Sequence, residues 1–245
     1  MAADSFVFKE FEVIQSNCAM KVGTDSVLLG AWFAIPEAGN VLDIGTGTGI
    51  LAIMAAQRSN AFIDAIEIDE EAYYQALDNC KKSKWRERID VYHTSLQEYV
   101  PVASKKYDVI VSNPPYFSNS LQAASESRTM ARHTASLSFE ELADGIALLL
   151  KLDGSFATIL PIKEAELFTA IAKRYGLYTS RMTYVKTTCS KPAKRILLQF
   201  GFQKVLTFEE TLIIEDEAKS DDCEMKQRFY SDEYKKLTRS FYLGF

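Results

Sequence analysis

One stretch constrains this chain more than any other: Val41-Leu42-Asp43-Ile44-Gly45-Thr46-Gly47-Thr48-Gly49-Ile50. An apolar run stops at three alternating glycines, and apolar residues at helical spacing then continue from Ile50 to Arg58. Glycines permit a sharp turn and a close approach of backbone to ligand, so the expected unit is strand, tight loop, helix. A second strand, Phe62 to Ile68, puts Glu67 at its end, about twenty residues beyond the loop, where a carboxylate can accept both hydroxyls of a ribose. Loop and carboxylate together describe an adenosine-type cofactor site. The glycine spacing is not that of pyrophosphate binders, and Asp43 ahead of it would repel a diphosphate but suits a cationic ammonium.

The same alternation runs on. A helix is expected over Glu70–Lys84, with Ala72, Ala76 and Cys80 on one face, and strands at Asp90–Thr94, Tyr107–Ser112 and Ser155–Leu160, with helices at Ser138–Leu150 and Lys163–Tyr175. Strands at Thr179–Thr187 and Arg195–Gln203 follow without a helix between them, which predicts an antiparallel hairpin at the sheet edge. Thr24-Asp25-Ser26 before Val27–Trp32 reads as a capping signal ahead of a helix, itself preceded by a short hairpin or extended arm. The expected organisation is an α/β, doubly wound, Rossmann-like domain over residues 40–205. Residues 1–39 form an arm and helix, and residues 206–245 an extension with an acidic turn and a last helix at Ser231–Leu243.

Composition narrows the class. The chain is 47% apolar and 25% charged, as a folded globular protein is, and its net charge of −5 is a poor footprint for coating nucleic acid, so any such contact must be local. Cys18, Cys80, Cys189 and Cys223 lie far apart with no C-x-x-C pair, which suggests neither a zinc site nor a disulfide scaffold. No signal peptide or apolar run of membrane-spanning length is seen, so the expectation is a cytoplasmic protein that holds no metal and touches no membrane.

The strand Tyr107–Ser112 runs directly into Asn113-Pro114-Pro115-Tyr116. Two prolines end the ladder and stiffen the loop, at the strand end where doubly wound sheets bind ligands. Asn113 offers a carbonyl acceptor, Pro114 a backbone carbonyl and Tyr116 a flat face, a set that suits a planar substrate bearing an amino group.

Here the chain resembles known families. Val41 to Gly49 with Glu67 is similar to the cofactor motif of class I S-adenosylmethionine-dependent methyltransferases, which implies a seven-stranded sheet with an antiparallel edge hairpin and S-adenosylmethionine as cofactor. Asn113–Tyr116 resembles the motif of enzymes that methylate adenine N6, cytosine N4, guanine N2 or a glutamine amide, with Asn113, Pro114 and Tyr116 catalytic. The segment Lys21 to Trp32, with Ala131-Arg132-His133 and Lys191-Pro192-Ala193-Lys194-Arg195, resembles bacterial tRNA methyltransferases that make N6-methyladenosine at position 37, beside the anticodon of valine tRNA. Glutamine-amide methyltransferases share the loop but carry a helical domain for which the stretch before Val41 is too short.

That likeness implies a cofactor site of Lys21, Thr24, Asp43, Gly45, Gly47, Gly49, Glu67, Ile68, Ser95 and Asn113. It implies a substrate side of Pro115, Arg132, His133, Lys194 and Arg195, and a monomer acting on the tRNA anticodon loop. Lys81, Lys82, Lys84, Arg86 and Arg88 form a second basic run, which reads equally as a solvated face. His93, on an expected strand, is read as structural. A catalytically silent RNA-binding scaffold and a nicotinamide dehydrogenase are the competing classes; the intact Asn113 loop argues against the first and Asp43 against the second.

Overall fold

The computed structural model describes residues 4–16, 21–114, 137–216 and 229–245. A small antiparallel hairpin, β1 (Ser5–Val7) and β2 (Glu12–Ile14), leads to α1 (Thr24–Trp32). The alternating core follows as β3 (Asn40–Ile44), α2 (Ile50–Arg58), β4 (Phe62–Glu67), α3 (Glu70–Lys82), β5 (Ile89–His93), the single turn α4 (Leu96–Tyr99) and β6 (Tyr107–Ser112). Then come α5 (Phe139–Leu149), β7 (Leu150–Pro161), α6 (Ile162–Arg174), β8 (Tyr178–Lys186), β9 (Arg195–Gly201), β10 (Phe208–Ile213) and α7 (Asp232–Thr238).

One sheet runs β10-β8-β9-β7-β6-β3-β4-β5. The five strands from β7 to β5 pair in parallel, β9 is antiparallel to both neighbours, and β10 lies parallel to β8. Strands β3 and β6 are buried along almost their whole length because helices cover both faces of the sheet. One core packs α1 and α2 with Phe8, Phe11, Tyr234 and Phe241, and the other packs α5 and α6 around Phe156, Phe168 and Phe200.

The sheet has eight strands where seven are expected. Phe208-Glu209-Glu210-Thr211-Leu212-Ile213 buries only Leu212, so it lacks the alternation that would reveal a strand, and it extends the sheet beyond the β8–β9 hairpin. The last helix is also shorter than its pattern suggests, seven residues capped by Ser231, whose Oγ accepts from the Tyr234 amide at 3.1 Å. The chain order reverses between β3 and β6, and the crevice outside that reversal is where the site lies.

Asn79 knits the periphery to the centre. Its buried amide accepts from the Ile14 N–H at 3.0 Å and donates to the carbonyls of Ile14 and Thr48 at 2.8 and 2.9 Å, joining β2, α3 and the glycine turn.

Candidate active site

The carboxyl ends of β3, β4 and β6 open into one cavity of about 690 Å³, a volume typical of small-molecule sites. The glycine turn forms its floor. Gly45 and Gly47 hold φ of +69° and +58°, and a Cβ at either would meet nothing within 4 Å, so both face open space that a ligand can enter. Gly49 serves another purpose: a Cβ there would sit 3.1 Å from Cys80 Sγ, so this glycine lets α3 pack closely on the turn.

Glu67 fastens the loop. Its Oε2 accepts from the Gly47 N–H at 2.8 Å, and its Oε1 accepts from the Ile68 and Asp69 amides at 2.9 and 3.0 Å. The carboxylate thereby joins the glycine turn to the start of α3, and Asp69 caps that helix by accepting from the Ala72 amide at 2.9 Å.

Asp43 lies beneath the turn, fully buried. Thr46 Oγ1 donates to its Oδ2 at 2.5 Å, while Oδ1 has no hydrogen-bond partner. Burial is the main force that pushes its pKa up to about 7; the Thr46 hydrogen bond opposes it and the Glu67 charge adds to it.

Across the cavity, Asn113 is half-buried at the end of β6, and its Nδ2 donates to Ser26 Oγ at 3.0 Å. Pro114 is buried beside it. The remaining wall comes from Ser95 and Ser138, which cap α4 and α5 through capping boxes with Glu98 and Glu141.

These features have counterparts in known proteins. Residues 14–138 match the methyltransferase small domain. Over 244 residues the chain is 45% identical to a tRNA1(Val) (adenine(37)-N6)-methyltransferase of Bacteroides fragilis (strain YCH46), covering 99% of each chain. A protein of the same name from Trichodesmium erythraeum is 41% identical over the full length of both. This chain belongs to that methyltransferase family. Two solved structures share the fold. One, from Agrobacterium tumefaciens and described as a predicted O-methyltransferase, has TM-score 0.66 at 16% identity over 89% of this chain and 96% of its own. A ribosomal protein L11 methylase from Lactobacillus delbrueckii has TM-score 0.52 at 19% identity over 73% of this chain and 78% of its own.

The enzyme's cofactor is S-adenosylmethionine. The residues fit it: two left-handed glycines with free space above them, a strand-end carboxylate facing the cavity, and an orphaned carboxylate oxygen under the turn. Of the expected cofactor residues, Lys21, Gly45, Gly47, Glu67, Ile68, Ser95 and Asn113 line this cavity, with Pro114 beside them. Asp43 and Gly49 support the turn from below.

Thr24 falls elsewhere. With Asp25, Lys194 and Arg195 it lines a neighbouring cavity of about 730 Å³, which shares Val22 with the first. The Thr24–Ser26 triplet does not cap α1, because the helix starts at Thr24 behind Gly23 with no side-chain cap. Asp25 Oδ2 instead accepts from Arg195 Nε at 2.8 Å, and Ser26 receives Asn113. Pro115, Tyr116, Arg132 and His133 lie outside the described residues.

The basic run from Lys81 to Arg88 is largely occupied within the fold. Arg88 donates to the carbonyls of Ala56, Ser59 and Ala61, Lys84 pairs with Glu10, and Arg86 pairs with Glu87. His93 is exposed at the end of β5, where its ring stacks on Tyr73 with centroids 5.2 Å apart and Nε2 lies 3.1 Å from the Ile68 carbonyl. Among the described residues no group of His, Cys, Asp and Glu could hold a metal, and no helix is long and apolar enough to cross a membrane.

Sequence reasoning missed the pairing of Ser26 with Asn113, and it missed Gln97 and Glu141. Gln97 Nε2 donates to Glu141 Oε1 at 2.9 Å, tying α4 to α5 across the rim. The Ser138–Glu141 spacing is a capping-box signal that could have placed the start of α5 on the cavity.

Proposed function

We propose that this enzyme transfers the methyl group of S-adenosylmethionine to the exocyclic N6 of adenosine 37 in valine tRNA, as a cytoplasmic monomer that takes the base from the anticodon loop. The observation that carries this reading is the placement of Asn113 and Pro114, at the end of β6, on the same cavity as Gly45, Gly47 and Glu67. The names of relatives at 41–45% identity support the choice of RNA and base.

The bound cofactor supplies a methyl group already activated by its sulfonium, so the protein need not provide a strong base. Gly45 and Gly47 offer the approach to backbone, and Glu67 receives ribose hydroxyls with the acceptor capacity its three amide partners leave. Asn113 Oδ1 and the Pro114 carbonyl accept the two N–H groups of N6. That draws the amine lone pair out of conjugation with the ring and stabilises positive charge as it grows on nitrogen. Held by Gly45, Gly47 and Glu67, the cofactor would supply the methyl group and keep the bonding electron pair on its sulfur, while Asn113 and Pro114 hold the amine until its nitrogen gives up one proton to water. Alignment and charge stabilisation account for the rate. In this reading Tyr116 is assigned to the base, Pro115, Arg132 and His133 to the substrate side, and Lys194 and Arg195 to the RNA; an anticodon loop lets a base leave its stack at low cost.

Mass spectrometry of nucleosides from tRNA incubated with purified protein and labelled cofactor tests the reading. Label is expected in N6-methyladenosine from valine tRNA. Label in another nucleoside, or in protein glutamine, would replace the substrate. Tyr116→Phe should be mild and Tyr116→Ala severe if stacking is the role.

A further inference from the structure

The first turn of α1 reaches both sides of the substrate region. Ser26 accepts a hydrogen bond from Asn113 at the end of β6, and the adjacent Asp25 accepts one from Arg195 at the start of β9. A cap does neither, and no side chain caps this helix. Its remaining turns, Val27 to Trp32, are buried against α2, so the hydroxyl is fixed to a rigid element.

We propose that Ser26 is a positioning residue that directs the Asn113 carbonyl at the substrate amine, an inference that rests on the methyl transfer proposed above. A carboxamide is nearly symmetric in shape and opposite in polarity at its two ends. With Nδ2 bound to Ser26, Oδ1 is the end left for an N–H donor. The Ser26 hydroxyl could also donate to Oδ1, but that reversed amide would set NH2 against the substrate NH2, so the orientation seen here is the productive one. Donation through Nδ2 also polarises the amide, so Oδ1 becomes a better acceptor as positive charge develops on N6. The contribution is therefore greatest in the transition state, and it belongs in kcat and not in cofactor affinity.

The test compares Ser26→Ala, Ser26→Thr, Asn113→Ala and the Ser26→Ala/Asn113→Ala pair, measuring kcat and KM for tRNA and Kd for S-adenosylmethionine. Ser26→Ala should lower kcat about 10- to 100-fold with KM and Kd changed less than about 3-fold. Ser26→Thr, which keeps the hydroxyl, should recover to within about 3-fold of the parent, and Ser26→Ala should add less than about 2-fold once Asn113 is alanine. An unchanged kcat in Ser26→Ala, an equal loss in both backgrounds, or a parallel loss of cofactor affinity would overturn the role. The side-chain amide resonance of Asn113 gives a readout free of turnover: Ser26→Ala should shift it and speed its hydrogen exchange. A parent chain that methylates no tRNA would sink the substrate reading alone, and an unmoved Asn113 resonance the role of Ser26 alone.

Discussion

The two walls of the active site are built by different means. The glycine-turn wall is made within a short run of chain, from Asp43 to Asp69, and it is fastened to Glu67 by backbone amides that no side-chain substitution elsewhere removes. The Asn113 wall is fastened by side chains from remote sequence: Ser26 lies 87 residues from Asn113, and Asp25 lies 170 from Arg195. The proposed cofactor cradle is thus folded largely from neighbouring sequence, whereas the proposed acceptor of the reacting amine depends on how α1 docks on the sheet. Damage to the first wall should appear in binding, and damage to the second in turnover.

The sharpest way to break that contrast is Asn113→Ala. It should reduce kcat by about 100-fold or more while calorimetric affinity for S-adenosylmethionine stays within about 3-fold, because it removes an acceptor used chiefly in the transition state. Equal losses would mean the two walls are not separable. Glu67→Ala should do the converse and weaken cofactor binding at least about 30-fold. It should also lower stability by about 1–3 kcal/mol, since three amides beside a buried carboxylate lose their acceptor.

A third test uses pH, to which only the first wall should respond. Asp43 is held near 7 in the fold against 3.8 as its ordinary value. The folded state therefore binds more protons than the unfolded one between those limits. Stability must fall as pH rises through that window and level off above about 7, by on the order of 4 kcal/mol at most. The difference in Tm between the parent and Asp43→Asn, followed from pH 4 to 8 without cofactor, should trace this fall; a constant difference would deny the titration. The smallest effect is expected of Lys194→Ala, which should raise KM for tRNA about 3-fold, reduce its salt dependence by about one phosphate contact and leave kcat alone.

What could be read from sequence follows the same division. Strand β6 was expected at Tyr107–Ser112 and lies there, and the turn with Glu67 was legible because its parts lie close together in the chain and each has one conformational reason to be there. Ser26 was misread because serine ahead of an apolar run is the ordinary mark of a helix cap, and only the docked fold brings Asn113 to it. Strand β10 was missed because its polarity does not alternate, and pairing with β8 decides its conformation. The buried group in which Tyr99, Tyr107 and Lys105 converge on Asp64 Oδ2 also left no trace, since a lone aspartate in a strand carries no pattern that names its partners.

The Asn79 amide has a consequence for how the enzyme breathes. It ties the N-terminal hairpin to the Thr48 carbonyl, so opening the glycine turn while that hairpin stays closed gives up this hydrogen bond, at a cost of about 1 kcal/mol. Amides of β2 and of the glycine turn should exchange with solvent as one cooperative unit. The N-terminal hairpin is thus a brace, and its loosening should carry to the glycine turn through one side-chain amide.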